Sequence, residues 1–165
     1  VYSVDIGIDA ELEVTARVLE LILTTRILDS VREELGASYG GSAILVPTRR
    51  PRESVDTSIS VDGDPDRLDT ILATIDAQIA ALVNDGPNAD EFDRATAVLS
   101  NEYDFVNNGV YLQMLLDGAH FPDADLLVPF NRSGLLRELR RSDVRELATV
   151  LFPNDQRIEV LRTTS

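Results

Sequence analysis

The chain has 165 residues, 44% of them hydrophobic, enough for one ordinary domain with a sizeable core and too apolar for disorder. Its net charge is −14 with no Lys, so the surface repels nucleic-acid phosphates and anionic membranes, and no apolar run is long enough to cross a bilayer. Cysteine is absent, which excludes disulfides and thiolate chemistry.

The acidic, lysine-free balance reads as a well-hydrated surface rather than as a selector of substrate. The first residue is Val1, inside a strand pattern, and no basic or apolar leader precedes it. The expectation is a single domain over 1–165 that belongs to a longer protein, with its compartment left open.

In chain order, residues 1–8 alternate, with Val4, Ile6 and Ile8 on one side and Ser3, Asp5 and Gly7 on the other. That period predicts a half-buried strand. Asp9 is placed to cap a helix over 10–35. Its apolar residues, from Leu12 to Val31, cover more than one face, so this helix is expected to be deeply packed. Residues 38–47 predict a second strand. Thr48-Arg49-Arg50-Pro51-Arg52 connects it to a third, in which Val55, Thr57, Ile59 and Val61 alternate with Asp56, Ser58 and Ser60. The pair fits an antiparallel hairpin. Asp64 and Pro65 then fit an N-cap and a first helical position.

A helix over 66–83 carries Leu68, Ile71, Leu72, Ile75, Ile79, Leu82 and Val83 inward, and Gly86 closes it. Asn88 and Glu91 fit a capping box for a helix over 89–107. Asn107-Asn108-Gly109 bends or ends that helix before 110–116. Residues 117–131 read as irregular. Ser133 and Ser142 are placed to start short helices over 134–140 and 143–151. Residues 157–161 alternate as a fourth strand. The expected fold is α+β in two layers. An antiparallel-rich four-stranded sheet is covered on one face by helices, in the order β-α-β-β-α-α-α-α-β.

The stretch Arg32-Glu33-Glu34-Leu35-Gly36-Ala37-Ser38-Tyr39-Gly40 joins the long helix to the second strand. Gly36 stands where a helix C′ residue belongs. Arg32 falls in the last turn and Tyr39 at the start of the strand, so a tight corner lets their polar tips converge. A guanidinium beside a phenol suits a carbonyl or an oxyanion. The purely structural alternative is that Arg32 serves the helix C-terminus and Tyr39 the strand.

An Arg, a Gly four residues on and a Tyr three further, between a helix and a strand, resembles the pitrilysin/insulinase family of zinc metallopeptidases. Insulin-degrading enzyme and the mitochondrial processing peptidases belong to it. The order of elements agrees along nearly the whole chain, and Asn84-Asp85-Gly86-Pro87-Asn88-Ala89-Asp90-Glu91-Phe92 resembles the family's helix–turn–helix joint. The resemblance implies the C-terminal, non-zinc half of a peptidase, in which Arg32 and Tyr39 contact substrate. It also implies partners: a zinc-bearing N-terminal half, on the same or another chain, and a peptide. No nucleic acid or membrane partner is expected, and a homodimer of the half is an option.

The family's active half carries H-x-x-E-H on its first helix, where two His bind zinc and the Glu acts as general base. The matching helix here, 10–35, has no His, and the single His of the chain is His120, in a predicted loop. One His does not supply the three or four ligands zinc needs. No catalytic residue, metal ligand or cofactor is therefore expected in this chain, and zinc is expected in the partner half.

Glu33 and Glu34 are adjacent on a helix, face different ways and do not form an acid/base pair. Arg49, Arg50 and Arg52 read as ion-pair partners or a solvated loop rather than a phosphate site, and Arg137 to Arg141 as helix surface. The runner-up function is a non-catalytic structural or assembly subunit of the same fold, like the core proteins of the respiratory cytochrome complex. A standalone peptide-binding domain comes third.

Overall fold

A computed structural model describes residues 1–35, 40–104, 109, 112, 115–116, 119, 128–153 and 157–160. Three strands form one antiparallel sheet: β1 (Tyr2–Asp5), β2 (Gly41–Thr48) and β3 (Ser54–Val61). Their order is β1-β3-β2. The register pairs Tyr2 with Thr57 and Val4 with Val55 on one side of β3. On the other side, Ala43 faces Ile59 and Leu45 faces Thr57.

The alternation seen in the sequence decides which face is buried. Tyr2, Ala43, Leu45, Val55 and Thr57 point into the core. Ser3, Asp5, Asp56, Ser58 and Ser60 point out, together with Ile44 and Val46. The helices lie on the first of these faces, so the molecule is the two-layer α+β arrangement that the patterning predicts.

Five helices are described: α1 (Ala10–Leu35), α2 (Leu68–Asp85), α3 (Ala89–Asp104), α4 (Val128–Glu138) and α5 (Arg141–Leu151). A 3-10 turn, Pro65–Arg67, leads into α2, and Asp64 caps it by accepting from the Asp66 N–H at 3.0 Å. Asp9 caps α1 through the Leu12 N–H at 2.7 Å. α1 is the centre of the core. Its Val18, Leu19, Leu23 and Ile27 are fully buried, as are Val55 of β3, Leu82 of α2, Leu99 of α3 and Val144 and Leu151 of α5. This is the deep packing that its broad apolar surface predicts. Tyr2 and Phe152 meet edge-to-face at 5.1 Å and fasten β1 to the end of α5. No described helix is long and apolar enough to cross a membrane.

Two expectations are corrected. The helix expected over 134–140 begins at Val128, not after Ser133. Pro129 does not prevent this, because a first-turn proline lacks only an N–H that would be unpaired anyway. The fourth strand is not a strand among the described residues. Instead, Val1 and Ile158 exchange two backbone hydrogen bonds, at 2.7 and 2.9 Å, in the manner of a single antiparallel pair beside β1. Ile158 and Val160 are 66% and 75% exposed, so the alternation there lacks a core to face. Leu161 lies outside the described residues, as do His120 and most of 105–127.

Candidate functional site

The stretch 32–40 is described only at its ends. Arg32 is exposed in the last turn of α1, and Gly40 leads into β2. Gly36 to Tyr39 lie outside the described residues, so the structure places Arg32 and does not test its pairing with Tyr39. Glu33 is exposed, as a solvated helix face requires.

β2, which follows this stretch, is described along its whole length. The Gly40 carbonyl accepts from the Asp62 N–H at 2.9 Å. That bond makes 42, 44 and 46 the positions of β2 that bond to β3, and it turns the backbone polar groups of 41, 43, 45 and 47 outward. α1 meets this outer edge. The Thr24 hydroxyl accepts from the Ala43 N–H at 3.0 Å and donates to the Ala43 carbonyl at 3.2 Å. The Glu20 carboxylate accepts from the Leu45 N–H at 2.9 Å. A β-carbon placed on Gly41 would stand 3.5 Å from Leu28.

Glu20, Thr24 and Leu28 are thus successive residues of one i, i+4 stripe, matched to Leu45, Ala43 and Gly41. Four helical residues rise about 6.0 Å and two strand residues about 6.6 Å, so the two rows stay in step. Arg32 is the next residue of this stripe.

A second cluster ties α1 to the α2–α3 joint. Gly86 has φ +74 and ψ −172, a conformation open essentially to glycine alone. Its N–H donates to the Leu82 carbonyl at 3.0 Å. The capping box forms as expected: the Glu91 N–H donates to Asn88 Oδ1 at 2.9 Å and the Asn88 N–H to Glu91 Oε2 at 2.8 Å. Sequence reasoning missed Arg26. Its guanidinium grips the Glu91 carboxylate with two bonds, 2.7 and 2.8 Å, and donates to the Gly86 carbonyl at 3.1 Å. The Arg26 side-chain bonds and the Asn88 N–H hold the Glu91 carboxyl below the usual carboxylate range, against the opposing effect of burial. The signal was present: an Arg set within the apolar stretch from Leu21 to Leu28 must find a partner.

The basic loop behaves as the ion-pair reading predicts. Arg49 donates to the Ile8 carbonyl at 2.6 Å and to Glu13 at 2.9 Å, and Arg52 pairs with Asp5. Burial raises the Tyr103 hydroxyl above its ordinary value, so this phenol stays protonated near neutrality. An open cleft of about 530 Å³ lies at the other end of α1, with Glu11, Glu138, Asp143 and Arg140 around Val14 and Leu139. Twenty-one residues of helix separate Glu11 from Arg32, about 31 Å, so this cleft is not part of the Arg32 site.

A family model described as the peptidase M16 inactive domain matches residues 4–99. This agrees with the pitrilysin-family C-terminal half that the sequence resembles. No curated protein is significantly similar in sequence.

Among solved structures, a peptidase M16 inactive domain from Pseudomonas fluorescens has a TM-score of 0.75 at 20% identity, covering 93% of this chain and 38% of that one. The periplasmic protease PqqL from Escherichia coli has a TM-score of 0.77 at 12% identity, covering 91% of this chain and 17% of that one. A protein assigned as a zinc protease from Bordetella pertussis Tohama I has a TM-score of 0.70 at 16% identity, covering 94% and 88%. At these identities the likeness establishes the fold. The chain spans only a fraction of the first two proteins.

Proposed function

Because the chain belongs to the peptidase M16 inactive-domain family, we propose that it is the metal-free, substrate-binding half of a zinc-dependent endopeptidase. The chain is read as one domain of a longer peptidase or of a two-chain assembly. Its partner is a zinc-bearing N-terminal half, and together the halves enclose a peptide chamber. Zinc, held by the partner half, supplies the activated water for peptide-bond hydrolysis. This half contributes position: Arg32 and Tyr39 hold a substrate carbonyl so that the scissile bond stays in place.

One observation supports the Arg32 part of this reading. The stripe of α1 and the outward row of β2 run in step through Glu20 and Leu45, Thr24 and Ala43, and Leu28 and Gly41. The next residue of the same helix stripe is Arg32, which is exposed in the last turn of α1.

Reconstitution tests the function. The 165-residue chain by itself is expected to hydrolyse no peptide and to hold no stoichiometric zinc after dialysis. Mixed with the zinc-bearing half, it should raise peptide cleavage at least about a hundredfold, the scale of lost positioning. Full cleavage by the zinc half without this chain would favour the structural or assembly reading.

A further inference from the structure

We propose that Glu20 and Thr24 of α1 seal the outer edge of β2, so that no extended peptide can add to this sheet as a neighbouring strand there. β2 is an end strand of the described sheet, and an unpaired end strand offers a row of N–H and C=O groups to any extended chain. Three outward positions make up the row beyond Gly41. At Ala43 both groups are taken by the Thr24 hydroxyl. At Leu45 the N–H is taken by the Glu20 carboxylate. At Pro47 there is no N–H to offer. The helix side is matched to this pattern: Ala16, the stripe residue before Glu20, is buried and brings no polar group.

Glu20 is only 12% exposed on its side chain and is also paired with Arg17, which helps to hold it in place. The seal is therefore built from two side chains and one proline, and it leaves no outward donor in the row from Ala43 to Pro47. At Ala43 and Leu45 a peptide strand would have to displace charge-assisted and hydroxyl bonds already made.

The consequence for substrate rests on the reading of Arg32 and Tyr39 given above. A peptide held there is gripped by side chains, Arg32 at the end of α1 among them. It does not run along β2 in a main-chain ladder. On this half, selectivity then comes from a few contacts near Arg32 and not from an extended register.

Amide hydrogen exchange of the 165-residue chain tests the seal without any substrate. In the wild type, the Ala43 and Leu45 amides should be protected to the level of Ile44, which bonds to β3. Glu20→Leu should speed exchange at Leu45, and Thr24→Val at Ala43, by about tenfold or more, with Ile44 unchanged. Glu20→Gln and Thr24→Ser keep an acceptor and should retain protection.

A labelled synthetic peptide with the sequence of residues 54–61, the natural neighbour of β2, serves as the strand probe. It should bind the Glu20→Leu/Thr24→Val double variant and not the wild type. Wild-type amides at 43 and 45 that exchange as freely as open loop amides would overturn the proposal. So would binding of the probe to the wild-type β2 edge. If the double variant does not fold, the wild-type exchange, the wild-type probe binding and the Gln and Ser variants still decide. Failure of the Arg32/Tyr39 reading would leave all of these results unchanged.

Discussion

Single residues on the buried face of the sheet show how closely the core is specified. Thr57 is fully buried, and its hydroxyl has no hydrogen-bond partner among the described residues. The alternation of β3 predicts this inward position, but sequence alone does not show that the hydroxyl goes unsatisfied. An unpaired buried hydroxyl costs about 1–2 kcal/mol. Thr57→Val keeps the shape and removes that cost. Its melting temperature should rise by about 2–4 °C per kcal/mol gained, read by calorimetry. A lower melting temperature would show that the hydroxyl has a partner in solution. Arg32 teaches the complementary lesson: the sequence marked the residue and its place in the last turn, while Tyr39, expected beside it, lies outside the described residues.

At the scale of elements, periodicity located α1, α2, α3 and the β2–β3 hairpin, and capping residues located their starts. Asp9, Asp64 and the Asn88–Glu91 box are all used as local chemistry predicts. Local rules failed where a local signal has two readings. Ser133 fits a cap, but the helix had already started at Val128. Tertiary ties were the least legible. Glu20, Thr24 and Arg26 are polar interruptions of an apolar helix, and each is explained by a partner 19 to 65 residues away.

The Arg26–Glu91 pair carries the clearest energetic prediction. The two side chains are 13% and 15% exposed, so removing one strands the other away from water. Arg26→Ala should destabilise the domain by about 2–4 kcal/mol in chemical denaturation. Glu91 titrates below the ordinary carboxylate range when folded. Its contribution is therefore fully present above the unfolded value, about 4.5, and is lost as pH falls through the lower folded value. Stability of Glu91→Gln should fall less steeply with acid over that window. An identical acid slope in both proteins would show that Glu91 is not the titrating group.

At the scale of the whole molecule, the fold was legible because binary patterning and element order agree from β1 to α5. The sheet edges were less so. They depend on the Val1–Ile158 pair on one side and on the α1 seal on the other. The central claim is that this half binds substrate and carries no chemistry of its own. The most direct measurement is peptide cleavage by the assembled peptidase carrying Arg32→Ala, Arg32→Lys or Tyr39→Phe, with thermal stability recorded on the same samples. Tyr39→Phe deletes one hydroxyl and keeps the ring. Arg32→Lys keeps the charge and loses the planar fork. All three should cleave about ten- to a hundredfold more slowly, the equivalent of a lost hydrogen bond to the substrate, with melting temperatures nearly unchanged. Lowered melting temperatures with full activity per folded molecule, in all three variants, would contradict the claim and leave Arg32 and Tyr39 as structural residues.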